Sequence, residues 1–474
     1  MSTNEQASSF ASQLKSIDSK PRVSSRSGSS EDGDTSQDEG LPASEYGGVG
    51  PGSYLKDRRY LIIGRLGSGH FSAVFLAYDY HEKRSVAVKV QRSAEHYIEA
   101  ARDEIELLRD LGRKDPEGKQ PVVHLNDCFE LYYDGGEPPK TRKLHICTVF
   151  EVLGKTLLSL IRRCRYEGAP LNLVKVISKG ILQGLDYLHT ECKIIHTDLK
   201  PENVMFELTP KQESHMNSEV RRLATEALTN TAVFDTDRVK SIMMAFGPEE
   251  TDNQFALAKV KIIDFGNACW THKQFASDIQ TRQYRCPEAI IGAGYDTSAD
   301  IWSAGCMIFE ILTGDYLFDP RGTESYCRDE DHLAMMMEIV GKFPSDFVSR
   351  GAYSGDYFDR YDELPSIPEI RFIGLLKLLH RKYSFSKDLS ADVADFLIPM
   401  LKIRPERRAK AKDCMEHPFL DLTRELSSRL RGDNAHSRFP SIGGTNSPNG
   451  LRAAKHMTRR KSKYQRAYRK LFKD

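Results

Sequence analysis

The segment "RRYLIIGRLGSGHFSAVFLAYD" holds two apolar runs turned about a pair of glycines, and "SVAVKV" follows closely. Runs of this length bounded by glycine and polar residues read as three consecutive antiparallel strands. Next, "EHYIEAARDEIELLRDL" carries Ile98, Ala101, Ile105, Leu108 and Leu111 at helical spacing, which predicts one long amphipathic helix. After a further strand in "HICTVFEVLG", the pattern is mostly helical to about residue 422. The expected fold is therefore α+β and bilobal: a small N-terminal lobe of antiparallel sheet plus one helix, then a larger, mainly helical C-terminal lobe.

Composition sets the boundaries. Residues 1–53 are dominated by Ser, Gly, Asp and Glu, too polar to offset the entropy of ordering, and are expected to form a disordered tail. The packed domain is expected over 54–422, with the small lobe at about 54–153 and the large lobe at about 154–422. A polar interval at about 207–259 reads as an insertion with one short helix in "SEVRRLATEAL". Residues 423–474 read as a basic, disordered extension. Charge separates the two ends: residues 1–50 hold eight acidic and four basic side chains, and 451–474 hold one and ten. The stretch "KHMTRRKSKYQRAYRKLFK" is either a localisation or RNA-contacting segment or a solvated end, and nothing in the sequence decides.

Several classes are excluded. The nine cysteines are scattered singly, with no C-x-x-C pair and no Cys/His run, so neither a disulfide framework nor a zinc site is expected. The start "MSTNEQASSFASQ" lacks the pattern of a secretory leader, and no apolar stretch is long enough for a membrane span. "ADIWSAGCMIFEILTG", interrupted by Glu310, reads instead as a buried core helix. Cytoplasm and nucleus are the expected locations, with no membrane partner.

The chemistry-bearing residues come in a fixed order. In "LGSGHFSAV", Gly67 and Gly69 would let backbone N–H groups approach phosphate oxygens, although glycines in a hairpin turn need no ligand to explain them. "VAVK" places Lys89 on the next strand, and Glu104 of "RDEIELL" could fix its ammonium; a surface lysine and a solvated glutamate are the alternative. "HTDLKPEN" then supplies Asp198 as a base for an incoming hydroxyl, Lys200 to offset charge, and Asn203 as an oxygen ligand. "KIIDFGN" supplies Asp264 directly after an apolar strand. Lys89, Glu104, Asp198, Lys200, Asn203 and Asp264, in this order and each in its required local context, point to phosphoryl transfer.

These motifs resemble those of the eukaryotic-type protein kinases over about residues 54–422. The resemblance implies ATP and Mg2+ as cofactors. It implies that Leu66, Gly67, Ser68, Gly69, His70, Phe71, Ser72, Ala73 and Val74 cover the nucleotide, with Lys89 on its phosphates and Glu151 and Leu153 at the base. Asp198, Lys200, Lys89, Glu104 and Thr281 are then the catalytic residues, and Asn203 and Asp264 the metal ligands. Glu288 of "RCPE" would pair with Arg408 of "PERRA", and Asp300 would brace the catalytic loop. Lysine two residues after Asp198 is the serine/threonine-kinase arrangement.

Within that group, "LGSGHFSAVFLA", "YIEAARDEIELL", "FEVLGKTLL", "TRQYRCPEAIIGAGY" and "TGDYLFDPRGTESYCRDEDH" resemble the SR-protein kinase family. The stretch "HLAMM" also resembles the LAMMER-type dual-specificity kinases, but Met337 and Glu338 stand where their motif has Glu and Arg. The family resemblance implies Arg-Ser-rich splicing factors as substrates, RNA met only through them, and a monomer. It implies a docking groove of Asp315, Asp331, Glu338 and Lys382, and a phosphoserine pocket of Arg282, Arg285 and Arg328. Helical geometry independently places Asp331 and Glu338 together, facing solvent opposite Leu333, Met336, Met337 and Val340. Asp329, Glu330 and Asp331 also have a simpler role at a helix start, complementing the macrodipole, and Arg282 and Arg285 could merely brace the activation segment. Finally, Thr197 stands where many kinases carry an arginine that pairs with a phosphate on the activation segment, so activity without that phosphorylation is expected.

Overall fold

The computed structural model describes residues 46–69, 71–134, 142–228 and 258–422. The expectations for residues 1–45, for His70, for 229–257 of the insertion and for 423–474 lie outside the described residues.

Six strands, β1 (Tyr54–Leu55), β2 (Tyr60–Ser68), β3 (Ser72–Asp79), β4 (Arg84–Gln91), β5 (Leu125–Asp134) and β6 (Arg142–Phe150), form one antiparallel sheet in the order β1-β2-β3-β4-β6-β5. Period-two alternation assigns its faces. Val86, Val88 and Val90 of β4 are fully buried in the core on one face, which puts Lys89, paired across to Val74 and Thr148, on the other. Tyr46 and Val49 are buried against that valine face, so the packing includes residues before the expected boundary at 54. Two apolar side chains in a glycine-rich stretch carry no periodicity, so the sequence reading placed them in the tail.

Helix α1 (Glu95–Lys114) buries Ala101, Ile105, Leu108 and Leu111 on the expected stripe, and Glu104 with them. The large lobe contains α2 (Leu157–Arg163), α3 (Leu171–Asp186), α4 (Pro210–Glu226), α5 (Pro287–Ile291), α6 (Ser298–Thr313), α7 (Arg328–Val340), α8 (Leu375–Lys382), α9 (Lys387–Leu397) and α10 (Ala411–Met415). Two-stranded pieces, β7 (Ile194–Ile195) with β10 (Cys269–Trp270) and β8 (Val204–Phe206) with β9 (Val260–Ile262), frame the cleft. Every residue of α6 after Ser298 is buried, as expected of a helix with few polar side chains spread round it.

Helix α4 starts earlier than the expected "SEVRRLATEAL" helix. Thr209 caps it, Pro210 occupies the first turn, and Gln212 returns a bond to the Thr209 N–H, a reciprocal box that the sequence "TPKQ" encodes. Its apolar stripe of Met216, Val220, Leu223 and Ala224 packs on Leu61, Ile63, Leu76 and Tyr78 of the small-lobe sheet. Asn217 accepts the Ser85 N–H at 2.7 Å, which fixes the helix along the strand edge. The start of the insertion therefore fastens the chain leaving the large lobe to the sheet of the small one.

Glu288 and Arg408 form a bidentate pair at 2.7 and 2.9 Å, and both side chains are fully buried. Removing one partner leaves a buried charge unpaired, so Arg408→Ala should cost about 3–5 kcal/mol. Thermal unfolding should show a clear fall in Tm, and Glu288→Leu/Arg408→Met should recover much of it; a double variant worse than the single would contradict this account.

Candidate active site

The site is built around one buried carboxylate. Asp300, in the first turn of α6, accepts the backbone N–H groups of His196 and Thr197 at 2.8 and 2.9 Å, and His189 Nε2 lies 2.8 Å from it. Burial alone would raise its pKa, but the hydrogen bond with His189 and the neighbouring imidazoles hold it below the ordinary aspartate value. This clamp fixes the loop between β7 and β8 at the point where Thr197 adopts φ +64°, a left-handed conformation costly for a β-branched residue. The Thr197 hydroxyl donates to Asn267 O at 2.7 Å, tying the loop to the segment after Asp264. His196 accepts the Asp198 N–H at Nδ1, so its Nε2 carries the proton donated to Ile263 O at 2.9 Å.

Asp198 is held by both oxygens. Oδ1 accepts the Thr281 hydroxyl at 2.7 Å, and Oδ2 accepts Lys200 Nζ at 2.7 Å, while Lys200 also reaches Thr281 Oγ1 at 3.1 Å. Asn203 donates its amide N–H to Asp198 O at 2.9 Å, which leaves Oδ1 as its remaining acceptor. Across the cleft, Lys89 Nζ lies 2.8 and 2.9 Å from the Glu104 oxygens and 3.5 Å from Asp264. Burial opposes the Lys89 charge, but Glu104 and Asp264 outweigh it and hold the ammonium above its usual range; Lys89 in turn lowers Asp264. Phe265 is buried with its ring 5.3 Å from His196, so Asp264 is turned into the cleft.

The glycine loop suits a phosphate ligand. A Cβ at Gly67 would meet nothing within 4 Å, and one at Gly69 would meet only Ser72 O at 4.0 Å, so internal packing does not require glycine there. Gly69 N–H bonds Ser72 O at 2.8 Å and closes the hairpin, with Leu66, Ser68, Ala73 and Val74 on its two strands. Phe71 is exposed at the tip, its ring 5.0 Å from that of Tyr97. Asp264 and Asn203 offer hard oxygen donors of the kind Mg2+ takes. At the back of the cleft, Glu151 accepts Lys261 Nζ at 2.7 and 2.9 Å and the His124 N–H at 3.1 Å, while Leu153 is buried. The Glu151 side chain therefore serves the fold, so any contact with a nucleotide would fall to its backbone.

The outer residues have more internal partners than the sequence suggested. Asp315 accepts Lys382 Nζ at 2.9 Å and the Tyr383 hydroxyl at 3.2 Å. Asp331 and Glu338 share one face of α7, but both are half-buried rather than fully solvated, and Asp331 accepts the Arg321 N–H at 2.7 Å. Glu330 completes a capping box with Cys327, and Asp329 pairs with Arg282. Arg285 pairs with Asp278 at 2.6 Å, and Arg328 donates to Pro320 O at 3.1 Å. The three arginines converge near His332, where burial and then their charges keep the imidazole well below its ordinary pKa.

Two residues that hold this geometry carried no sequence signal. Gln280 donates to Ala299 O and Ser303 Oγ, both at 2.8 Å, and accepts the Cys286 N–H at 2.8 Å. Trp270 Nε1 donates to Asp110 of α1 at 3.1 Å. Both contacts join elements far apart in sequence, and glutamine and tryptophan have no reaction chemistry that would have singled them out.

Comparison with known proteins agrees with this geometry. The protein kinase domain family matches residues 60–420. The chain is 43% identical over 401 residues to a serine/threonine-protein kinase SRPK of Physarum polycephalum, covering 81% of this chain and 92% of that protein. It is 37% identical over 460 residues to the protein kinase dsk1 of Schizosaccharomyces pombe, covering 79% and 83%. The SRSF protein kinase 3 of Mus musculus is 33% identical over 499 residues, covering 77% and 87%.

The depressed Asp300 pKa sets a pH dependence. A carboxyl lowered in the folded state contributes its full stability above the unfolded pKa of about 4, and loses it as pH falls through the folded value. Asp300→Asn should therefore be about 2–3 kcal/mol less stable at neutral pH. Urea unfolding should show that deficit narrowing as pH drops below about 4; a deficit independent of pH would mean that the charge contributes nothing.

Proposed function

Because the chain belongs to the SR-protein kinase family of serine/threonine protein kinases, we propose that it phosphorylates serines in Arg-Ser-rich segments of splicing factors, using Mg2+ with ATP and needing no phosphate on its activation segment. The observation that carries the reading is the Asp198 cluster: a carboxylate aimed by Thr281 and Lys200, beside Asn203 and opposite Asp264. Bound nucleotide and metal supply the phosphoryl group and neutralise part of its charge. Asn203 and Asp264 would hold the metal, Lys89 would position the phosphates, and Asp198 would take the proton from the serine hydroxyl. Lys200 stands beside both Asp198 and Thr281, where it can offset charge on the transferred group.

Substrate choice rests on charge. Asp315, Asp331 and Glu338 would attract the arginines of an incoming segment, with Lys382 ordering Asp315, and Arg282, Arg285 and Arg328 would receive a serine already phosphorylated. Activity without activation-segment phosphorylation is supported by the bonds that hold the segment already: Thr197 to Asn267, Gln280 to α6, Arg282 to Asp329 and Trp270 to Asp110. Each uses only side chains and backbone of this chain.

Purified protein with Mg-ATP should phosphorylate an Arg-Ser peptide in preference to Ser-Pro and tyrosine peptides, and Asp198→Ala should lower turnover at least about a hundredfold. Phosphatase treatment should leave the rate unchanged. Equal use of the three peptides would overturn the substrate class, and a rate lost with phosphatase would overturn the regulatory reading.

Reversal of charge on α7 separates docking from chemistry. Asp331→Lys/Glu338→Lys should raise KM for a long Arg-Ser protein roughly tenfold, about 1.4 kcal/mol of lost binding, with a much smaller change for a short peptide. The same rise for both substrates would argue against a groove.

A further inference from the structure

A second surface of the large lobe has the opposite character. The end of α7, the approach to α8 and the segment following α9 enclose a groove of about 590 Å3. Phe372, Leu376 and Ile398, which line it, are 67%, 49% and 37% exposed, three of the nine large hydrophobic residues left exposed among those described. Single exposed apolar side chains are ordinary, but three in one concave patch mark a binding surface. The groove is also lined by Lys342, Lys377, Lys402, Arg404 and Arg407, and by no Asp or Glu. Lys342 and Arg404 have exposed acidic neighbours in Glu363 and Asp346. Lys377, Lys402 and Arg407 have no ion-pair partner among the described residues.

We propose that this groove docks a short acidic, amphipathic peptide of a partner protein, its apolar side chains on Phe372, Leu376 and Ile398 and its carboxylates on Lys377, Lys402 and Arg407. Sign decides the occupant. An arginine-rich substrate segment would be repelled by the rim, and so would the basic stretch at 451–474, with its ten basic and one acidic residues. Shape favours a peptide over a lipid surface, because the apolar side chains line a recess between walls, as in helix-in-groove recognition. The groove is separate from the residues proposed to dock the substrate but shares their framework. Ile373 N–H and Gly374 N–H donate to Glu338 O at 2.7 and 3.1 Å, and the Lys382–Asp315 pair sits at the far end of α8. The inference does not depend on the identity of the phosphorylated substrate.

The test is a phage library of random peptides panned on the full chain, with counter-selection on Leu376→Glu. The expected winners are acidic, with apolar residues at helical spacing. Synthetic versions, read by fluorescence anisotropy, should bind the wild type and weaken with salt. They should lose at least about tenfold in affinity to Leu376→Glu and to Lys402→Glu/Arg407→Glu. Turnover of a short Arg-Ser peptide by both variants reports that they are folded. No variant-sensitive winners, or winners that are neutral or basic, would overturn the proposal. So would phosphatidylserine vesicles that sediment the wild type but not Leu376→Glu, which would assign the surface to a membrane. Dimerisation lost in Leu376→Glu, measured by ultracentrifugation, would assign it to a second copy. Binding that appears only when residues 1–45 are deleted would assign it to the chain's own acidic N-terminal segment.

Discussion

The catalytic geometry depends on a carboxylate that does no chemistry. Asp300 is fully buried, and it stays charged because two backbone N–H groups and an imidazole face it. A buried anion with this many donors is rigid, since moving any one of them leaves an unpaired group that costs about 1–3 kcal/mol. His196 and Thr197 are thereby fixed, and Asp198, the next residue, inherits their position. Helix α6 can supply such an anchor because it is buried on every side and has no freedom to shift within the core.

The small lobe meets this anchored loop through a second set of charges. Lys89 is placed by strand register and Glu104 by a helical stripe, and neither arrangement needs the other lobe. Asp264 joins them, accepting Lys89 at 3.5 Å from the large-lobe side. A single ion pair across a cleft is a weak hold. The apolar packing of α4 on the sheet face that carries Lys89 and the bond from Trp270 to Asp110 on α1 add two further attachments between the lobes. The described part of the insertion thus contributes to the alignment of the nucleotide cleft although it contains none of the residues assigned to it.

What was legible in the sequence divides by range. Strands, α1 and α6 follow from periodicity, and Lys89, Glu104, Asp198, Asn203 and Asp264 from local motifs, because in each case the signal lies within one element. Tyr46 and Val49 were missed because burial of two isolated side chains leaves no pattern, and the true start of α4 was missed although its Thr-Pro-x-Gln cap was there to read. Partners were the least visible feature. The acidic start of α7 looked like a response to the helix dipole, yet its three carboxylates each have a separate partner: Arg282 for Asp329, Cys327 N for Glu330 and Arg321 N for Asp331. The Glu330 pairing is a local capping box, but those of Asp329 and Asp331 depend on the approach of other segments, which spacing along one helix cannot specify.

Thr197 supplies a fixed contact between the catalytic loop and the segment after Asp264. Its left-handed backbone costs on the order of 1–3 kcal/mol, so the position is held by its surroundings rather than by preference. The N–H bond to Asp300 is available to any residue there; the bond from the hydroxyl to Asn267 O is not. An arginine would have to carry its charge out of this buried site to an anion, and its grip on the activation segment would last only while that anion was present. A threonine hydroxyl needs no such partner. It is neutral, 2% exposed and already bonded to the backbone it must hold. The loop and the segment after Asp264 are therefore joined by a contact that no phosphatase can remove.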